Sequence, residues 1–320
     1  CVEECPVDIE HVDHIVNMRR FQVLVESEFP TELGNTFRNL EKAGNPWGAN
    51  RTDRDAWIKE VDFPITVIDS VIPEDVEYLF WVGCAGAYEE RAKKTTKAVA
   101  ELLYMSGTSF GVLGQRETCT GDPARRSGNE FLYQILSREN IETLQQTFGA
   151  RGVKKVVVTC PHCFTTIGKD YAQSGYELQM LHHTQLLNTL VKEGKLKTSP
   201  HKADQKITFH DPCYLGRHNQ IYAPPRELLE ASGCDIEEMP RNQERSFCCG
   251  GGGVHGGGAD GRKSATKPGD GKAGGGEGGA GGASGTPQGS PEASSARGPL
   301  HGTPRNTCSL SRVVGWAALR

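Results

Sequence analysis

The 320-residue sequence predicts an α/β architecture: two pseudo-repeated Rossmann-like lobes with parallel sheets, preceded by a helical segment and followed by a disordered tail. Three observations carry this. Short apolar runs, YLFWV, FGVL, KKVVV, LQML and KITF, alternate with helical patterns, which is how parallel sheets covered by helices read. Cys84 and Cys119 stand 35 positions apart, and so do Cys213 and Cys248. The contexts repeat too: EYLFWVGC and KITFHDPC each end a β-rich run at a cysteine and lead into a helical stretch, ERAKKTTKAVAELLY or PPRELLEA. The chain therefore carries an internal duplication.

In chain order, residues 1–30 begin CVEECPVDI, and IEHVDHIVNMRRFQVLVESEFP places apolar residues at helical spacing, so a helix precedes the lobes. Residues 31–75 are expected to form a helical connector, 76–200 the first cysteine-rich lobe and 201–250 a truncated second one. The stretch 251–320 is a different material. Of the 39 glycines, 22 lie between Gly250 and Arg320, where Trp316 is the sole aromatic residue. Such a segment buries too little apolar area to offset its chain entropy, and disorder is expected. A shifted reading frame of GC-rich DNA encodes this kind of composition, so the segment is expected to be out of frame, with a natural low-complexity tail as the alternative.

Charge narrows the function. The net charge is -4, and residues 1–249 hold 28 basic against 36 acidic side chains, which gives nucleic acid nothing to grip and suits a basic partner. No run approaches the roughly 18 apolar residues of a membrane helix, and no secretory signal opens the chain. A cytoplasmic location is expected. The first residue is Cys rather than Met, so an upstream segment, with any membrane anchor, is expected.

Eleven cysteines, an odd number without an export signal, favour metal or redox chemistry over disulfides. Cys84, Cys160 and Cys213 each sit where a predicted strand stops, the edge at which open parallel sheets build their sites. In KKVVVTCPHCFTTI, Cys160 and Cys163 lie at a strand-to-helix junction and face one metal together. With Cys84 and Cys119 they supply four thiolates, the number that a cubane iron-sulfur cluster requires. Thiolates also select zinc or copper(I), although zinc ribbons favour two Cys-x2-Cys knuckles. A zinc-stabilised, non-catalytic binding module is one alternative. A thioredoxin-like thiol-disulfide oxidoreductase using Cys160 and Cys163 is another, since Cys-Pro-His-Cys opening a helix stabilises a thiolate; it leaves Cys84, Cys119 and the duplication unexplained.

FWVGCAG at 80–86, ETCTGDPARR at 117–126, TCPHC at 159–163, HDPCYLGRH at 210–218 and RSFCCGGGG at 245–253 resemble the duplicated cysteine-rich (CCG) domains of iron-sulfur oxidoreductases similar to the heterodisulfide reductase catalytic subunit. Within that family the chain looks most like the actinobacterial branch linked to electron-transfer flavoprotein. The resemblance implies 4Fe-4S clusters between two α/β lobes, with Cys84, Cys119, Cys160, Cys163, Cys213, Cys248 and Cys249 as cluster ligands. It implies an electron-donor flavoprotein or dehydrogenase, a quinone or disulfide acceptor, and a full-length parent linked to the membrane. CVEECPVDI resembles the end of a ferredoxin motif, which adds Cys1 and Cys5 as ligands whose partners lie upstream and makes residues 1–30 the remnant of a ferredoxin-like domain. There are two departures. The family's first Cys-Cys-Gly reads Cys119-Thr120-Gly121, which leaves four thiolates for a cubane and too few for a five-thiolate noncubane cluster. The second lobe's Cys-x2-Cys, due near position 290, falls in TPQGSPEASS.

Other residues weigh less. His182 and His183 are expected to cap a helix or fill the core. His210 and Asp211, beside Cys213, would bond a cluster sulfur or cap the turn. Arg125 and Arg126 would offset cluster charge or lie at the surface, and Cys234 is expected to be a small buried hydrophobe. GCAG lacks the full dinucleotide fingerprint. An electron carrier of this kind needs no side-chain acid or base, because the cofactor supplies the chemistry.

Overall fold

Five short segments pair in parallel to form the sheet that organises the first lobe. The computed structural model describes residue 2 and residues 5–198, 207–247 and 318–319. Helix α1 (Val12–Phe21) runs into a π-helical turn (Gln22–Glu26), followed by α2 (Thr31–Ala43) and two short 3-10 turns (Arg51–Asp53, Ala56–Glu60). Strands β1 (Thr66–Val67) and β2 (Tyr78–Trp81) come next, then α3 (Gly83–Tyr88), α4 (Glu90–Met105), β3 (Phe110–Val112), α5 (Asp122–Arg126), α6 (Glu130–Phe148), β4 (Lys155–Val158), α7 (Pro161–Thr165), β5 (Gln179–His182) and α8 (His183–Lys192). The sheet order is β1-β3-β2-β4-β5.

The central strand β2 is buried on both faces, as parallel strands covered by helices must be. Its alternate side chains serve two cores. Phe80, with Val157 of β4 opposite it, packs with Val99 and Leu103 of α4 and Leu187 of α8. Leu79 and Trp81 point the other way with Val156 and Val158, toward Leu40 of α2 and Leu136 and Leu144 of α6. The chain thus makes three layers. All four first-lobe runs expected to be strands are strands; β1 was not foreseen, because two exposed residues carry no apolar run or alternation.

The second lobe contributes β6 (Thr208–Phe209) and α9 (Ala223–Ala231), and the tail contributes β7 (Ala318–Leu319). Ile207 makes a parallel bridge to Ile236, and β6 pairs antiparallel with β7. Helix α9 lies on α8, and Phe209, Leu228, Leu229 and Cys234 join the first lobe's core. Cys234 is the buried hydrophobe expected. Of the Gly-rich tail only residues 318–319 are described; Cys1, Cys248 and Cys249 also lie outside the described residues. No described helix is long and apolar enough to cross a membrane.

Leu79 is fully buried at the middle of β2. Leu79→Ala should cost about 2–5 kcal/mol of unfolding free energy, the range for a leucine truncated in a packed core, read as a lower urea midpoint at unchanged slope.

Candidate metal centre

The order β3-β2-β4 sets the site. The chain leaves β2 for β3 on one side and returns through α5 and α6 to β4 on the other, so the carboxyl ends of β2 and β4 form a switch point, where open sheets bind ligands. Cys84 lies in α3 just beyond β2, and Cys160 and Cys163 bracket the start of α7 just beyond β4. Gly83 lets the two turns meet. Its φ is +75°, and a Cβ there would stand 3.4 Å from Cys163 Sγ and 4.0 Å from Cys160 Cβ. Cys119 arrives in the loop after β3, held by its own N–H to the Gly44 carbonyl at 2.8 Å and by Asn140 Nδ2 donating to its carbonyl at 2.8 Å. Gly121 then takes φ +84° to start α5 at Asp122.

The four thiols lie in two electrostatically linked pairs, Cys84 with Cys119 and Cys160 with Cys163. In the first pair the interaction with Cys119, against the cost of burial and with help from the Arg54 cation, lowers the pKa of Cys84; the same interaction and burial push Cys119 up. In the second pair the interaction with Cys163, together with the nearby His162 and two backbone N–H groups, pulls Cys160 down to about 6, while Cys163 is pushed well up by that interaction and by burial. Cys84 and Cys119 also raise Cys163, so the two pairs lie within each other's field.

Charged residues frame the cysteines. Arg54 donates from Nη1 and Nη2 to Cys84 Sγ at 3.7 and 3.6 Å and from Nη2 to Glu117 Oε1 at 2.5 Å; both side chains are buried. Glu117 also accepts the backbone N–H of Val82 (2.9 Å) and Gly83 (2.7 Å), the turn that presents Cys84. On the other flank buried Asp122 accepts from Arg126 Nε (3.0 Å) and Thr166 Oγ1 (3.1 Å) and pairs with His162 Nδ1 at 2.8 Å. Burial opposes both charges, but the pairing outweighs it, lowering the Asp122 pKa and raising that of His162. The Cys119 loop is thereby tied to the Cys-Pro-His-Cys turn.

Soft thiols at a sheet switch point, three of them buried and Cys160 half-buried, fit an iron-sulfur cluster. Among the described residues no group of three or more His, Cys, Asp or Glu side chains is placed to hold a single metal ion. A cubane instead takes one thiolate at each of four irons, which two adjacent thiol pairs suit. The thioredoxin-like alternative uses only one of those pairs.

In the second lobe Cys213 is half-buried, with Arg217 Nη1 at 3.4 Å from its sulfur. Arg217 also donates to the carbonyls of Glu244 (2.9 Å) and Ser246, and His210 Nε2 bonds the Phe247 carbonyl at 2.9 Å. These bonds bring the segment leading to Cys248 back beside Cys213. Cys5 is half-buried, and its sulfur accepts the Ile9 N–H at 3.4 Å.

Comparison with known families matches the cysteine-rich domain twice, at residues 78–168 and again at 207–269. Each of these two stretches carries a cysteine-rich domain. The two matches bear out the duplication. Among curated proteins it is 42% identical over 257 residues to the "Probable iron-sulfur-binding oxidoreductase FadF" of Bacillus subtilis, covering 79% of this chain and 36% of that one. It is 43% identical over 256 residues to the EtfAB:quinone oxidoreductase of Syntrophomonas wolfei (79% and 35%). It is also 33% identical over 235 residues to one component of the dihydromethanophenazine:CoB–CoM heterodisulfide reductase of Methanosarcina barkeri (71% and 52%). The chain spans about a third to a half of the length of these relatives. No solved structure matches it.

Within the cysteine-rich domains several polar residues take places of their own. Arg126 is committed to Asp122 and Asp170 (2.6 Å), and Arg125 to Asp170 (3.2 Å), so neither offsets cysteine charge; Arg54 does, from the connector. Asp211 bonds Arg226 through both oxygens and accepts the Gln243 N–H, a structural role rather than a cysteine contact. His182 caps α8 as expected. Its Nε2 donates to the Thr159 carbonyl at 3.1 Å, its Nδ1 accepts from Thr184 Oγ1 at 2.7 Å, and burial beside His183 holds it neutral. Nothing in the sequence pattern marks Arg54, whereas Glu117, two residues before Cys119, shares its motif.

Two outcomes follow from this geometry. Gly83→Ala should lose about 1–2 kcal/mol from its left-handed backbone and load less metal, measured by urea unfolding and by metal analysis. Because the native pKa of His182 lies well below the ordinary 6.5, the unfolded chain binds a proton that the native one does not. Stability should therefore fall as pH drops below about 6.5, by up to about 1.4 kcal/mol per unit until the depressed native pKa is reached. His182→Gln should flatten that slope.

Proposed function

We propose that Cys84, Cys119, Cys160 and Cys163 hold a 4Fe-4S cluster through which the chain passes single electrons. The observation that carries this is the meeting of two thiol pairs, three of the four residues buried and Cys160 half-buried, from three loops at one sheet switch point, with a guanidinium directed at one sulfur. When bound, the cluster supplies the one-electron chemistry. The protein's own part is to seat four thiolates, exclude water with Leu113, Trp81 and Ile167 of the surrounding core, and place charge. Among the relatives, one is named for EtfAB and quinone and another for a heterodisulfide. The donor is accordingly an electron-transfer flavoprotein or a dehydrogenase, and the acceptor a quinone or a disulfide. A cytoplasmic site of action, next to the membrane in the full-length parent, is part of the same proposal, as are Cys213, Cys248 and Cys249 as ligands of a second centre and Cys1 and Cys5 as ligands shared with a preceding ferredoxin-like domain.

The test is anaerobic purification of the whole chain with iron, sulfide and zinc analysis and a visible spectrum. Brown protein carrying at least about four iron and four sulfide per chain, with about four of each lost in Cys160→Ser, is the expected result. Colourless protein holding one zinc would move the assignment to a structural module.

A further inference from the structure

We propose that Arg54 and Glu117 form a buried charge pair that sets the reduction potential of the first-lobe centre. The inference rests on the cluster assignment above and brings in two residues that are not cysteines. Their side chains are 3% and 1% exposed, and they meet at 2.5 Å across 63 residues of sequence. Taking two charges out of water is costly, and an apolar pair of similar volume would serve packing as well or better. The placement of the pair gives it another use. Two guanidinium nitrogens face Cys84 Sγ at 3.6–3.7 Å, a range normal for donors to sulfur, while Nε has no partner among the described residues. The cation is therefore shared between the Glu117 carboxylate and the Cys84 sulfur.

Glu117 has a second task independent of Arg54. It accepts two amides of the turn that carries Cys84, so its carboxylate stays next to the sulfur and the guanidinium together. Reducing a thiolate-bound cluster adds one negative charge where burial leaves fields weakly screened. Hydrogen bonds and charge beside the sulfurs then set the potential. The Arg54 cation favours the reduced form and raises the potential; the Glu117 anion offsets part of that rise. A pair acting only through folding would change stability and cluster loading without moving the potential in opposite directions.

The experiment uses the full chain carrying Cys213→Ser, so that the first centre alone is loaded, reconstituted with iron and sulfide and titrated with dithionite under EPR. Arg54→Gln should lower the midpoint and Glu117→Gln should raise it, each by at least tenfold in the one-electron equilibrium, which is 59 mV. The double variant should return toward the parent. Arg54→Lys, which keeps the charge and loses the fork, should fall between parent and Arg54→Gln. Shifts of the same sign in both single variants, or none, with unchanged iron and visible spectrum, overturn the proposal. If Arg54→Gln takes up no cluster, Glu117→Gln decides: an upward shift supports the pair, and a downward or absent one sinks it. A parent that takes up no iron or sulfide would instead overturn the cluster assignment.

Discussion

The Glu117 carboxylate is the contact on which the site depends. At the end of the central strand, Val82 and Gly83 turn away from the ladder, and their amides are buried. Unpaired, each would cost about 1–3 kcal/mol. One side chain, delivered from the loop after β3, satisfies both and draws in Arg54 from the connector. Three segments that are remote in sequence are thus locked at the point where Cys84 and Cys119 must meet.

A second lock works on the opposite flank. Asp122 opens α5 and binds His162 of the Cys160 turn, so the two cysteine loops cannot separate without unpairing a buried carboxylate. His162 in turn stacks on Tyr214 at 4.0 Å, and Tyr214 directly follows Cys213. The Tyr214 carbonyl also accepts from Thr165 Oγ1 at 3.3 Å. One aromatic contact therefore joins the cysteine group of the first lobe to the start of the second. Since α9 also shares the core of α8, the lobes are built as one body at this edge.

Most of this framework was legible in the sequence because it rests on short-range signals. Apolar runs such as YLFWV and KKVVV bury both faces of a strand, and the 35-residue spacing repeats with its context, so the parallel sheet and the positions of Cys84 and Cys160 followed directly. What could not be read was pairing across distance. Arg54 sits in RTDRDAW, where alternating charge looks like a solvated turn, and only the closing of the connector over β2 buries it. Arg125 and Arg126 attracted attention by their nearness to Cys119, yet the helix they close turns both toward Asp170. Proximity in sequence misled there because α5 changes the direction in which side chains leave the loop.

The departure from the family pattern at Thr120 changes chemistry without disturbing the loop. Thr120 is buried, its carbonyl accepts the Tyr171 hydroxyl at 3.0 Å, and Gly121 keeps the left-handed turn that starts α5. The loop therefore presents Cys119 as a single thiolate in a rigid setting, and the first lobe has four thiolates in all. On the proposed assignment, four ligands, one for each iron, would complete a cubane and leave no iron open to substrate. Such a centre would relay electrons rather than bind an acceptor. Within this chain, chemistry at an acceptor would have to occur at the Cys213 side, where Arg217 and His210 bring the following segment back toward the sulfur.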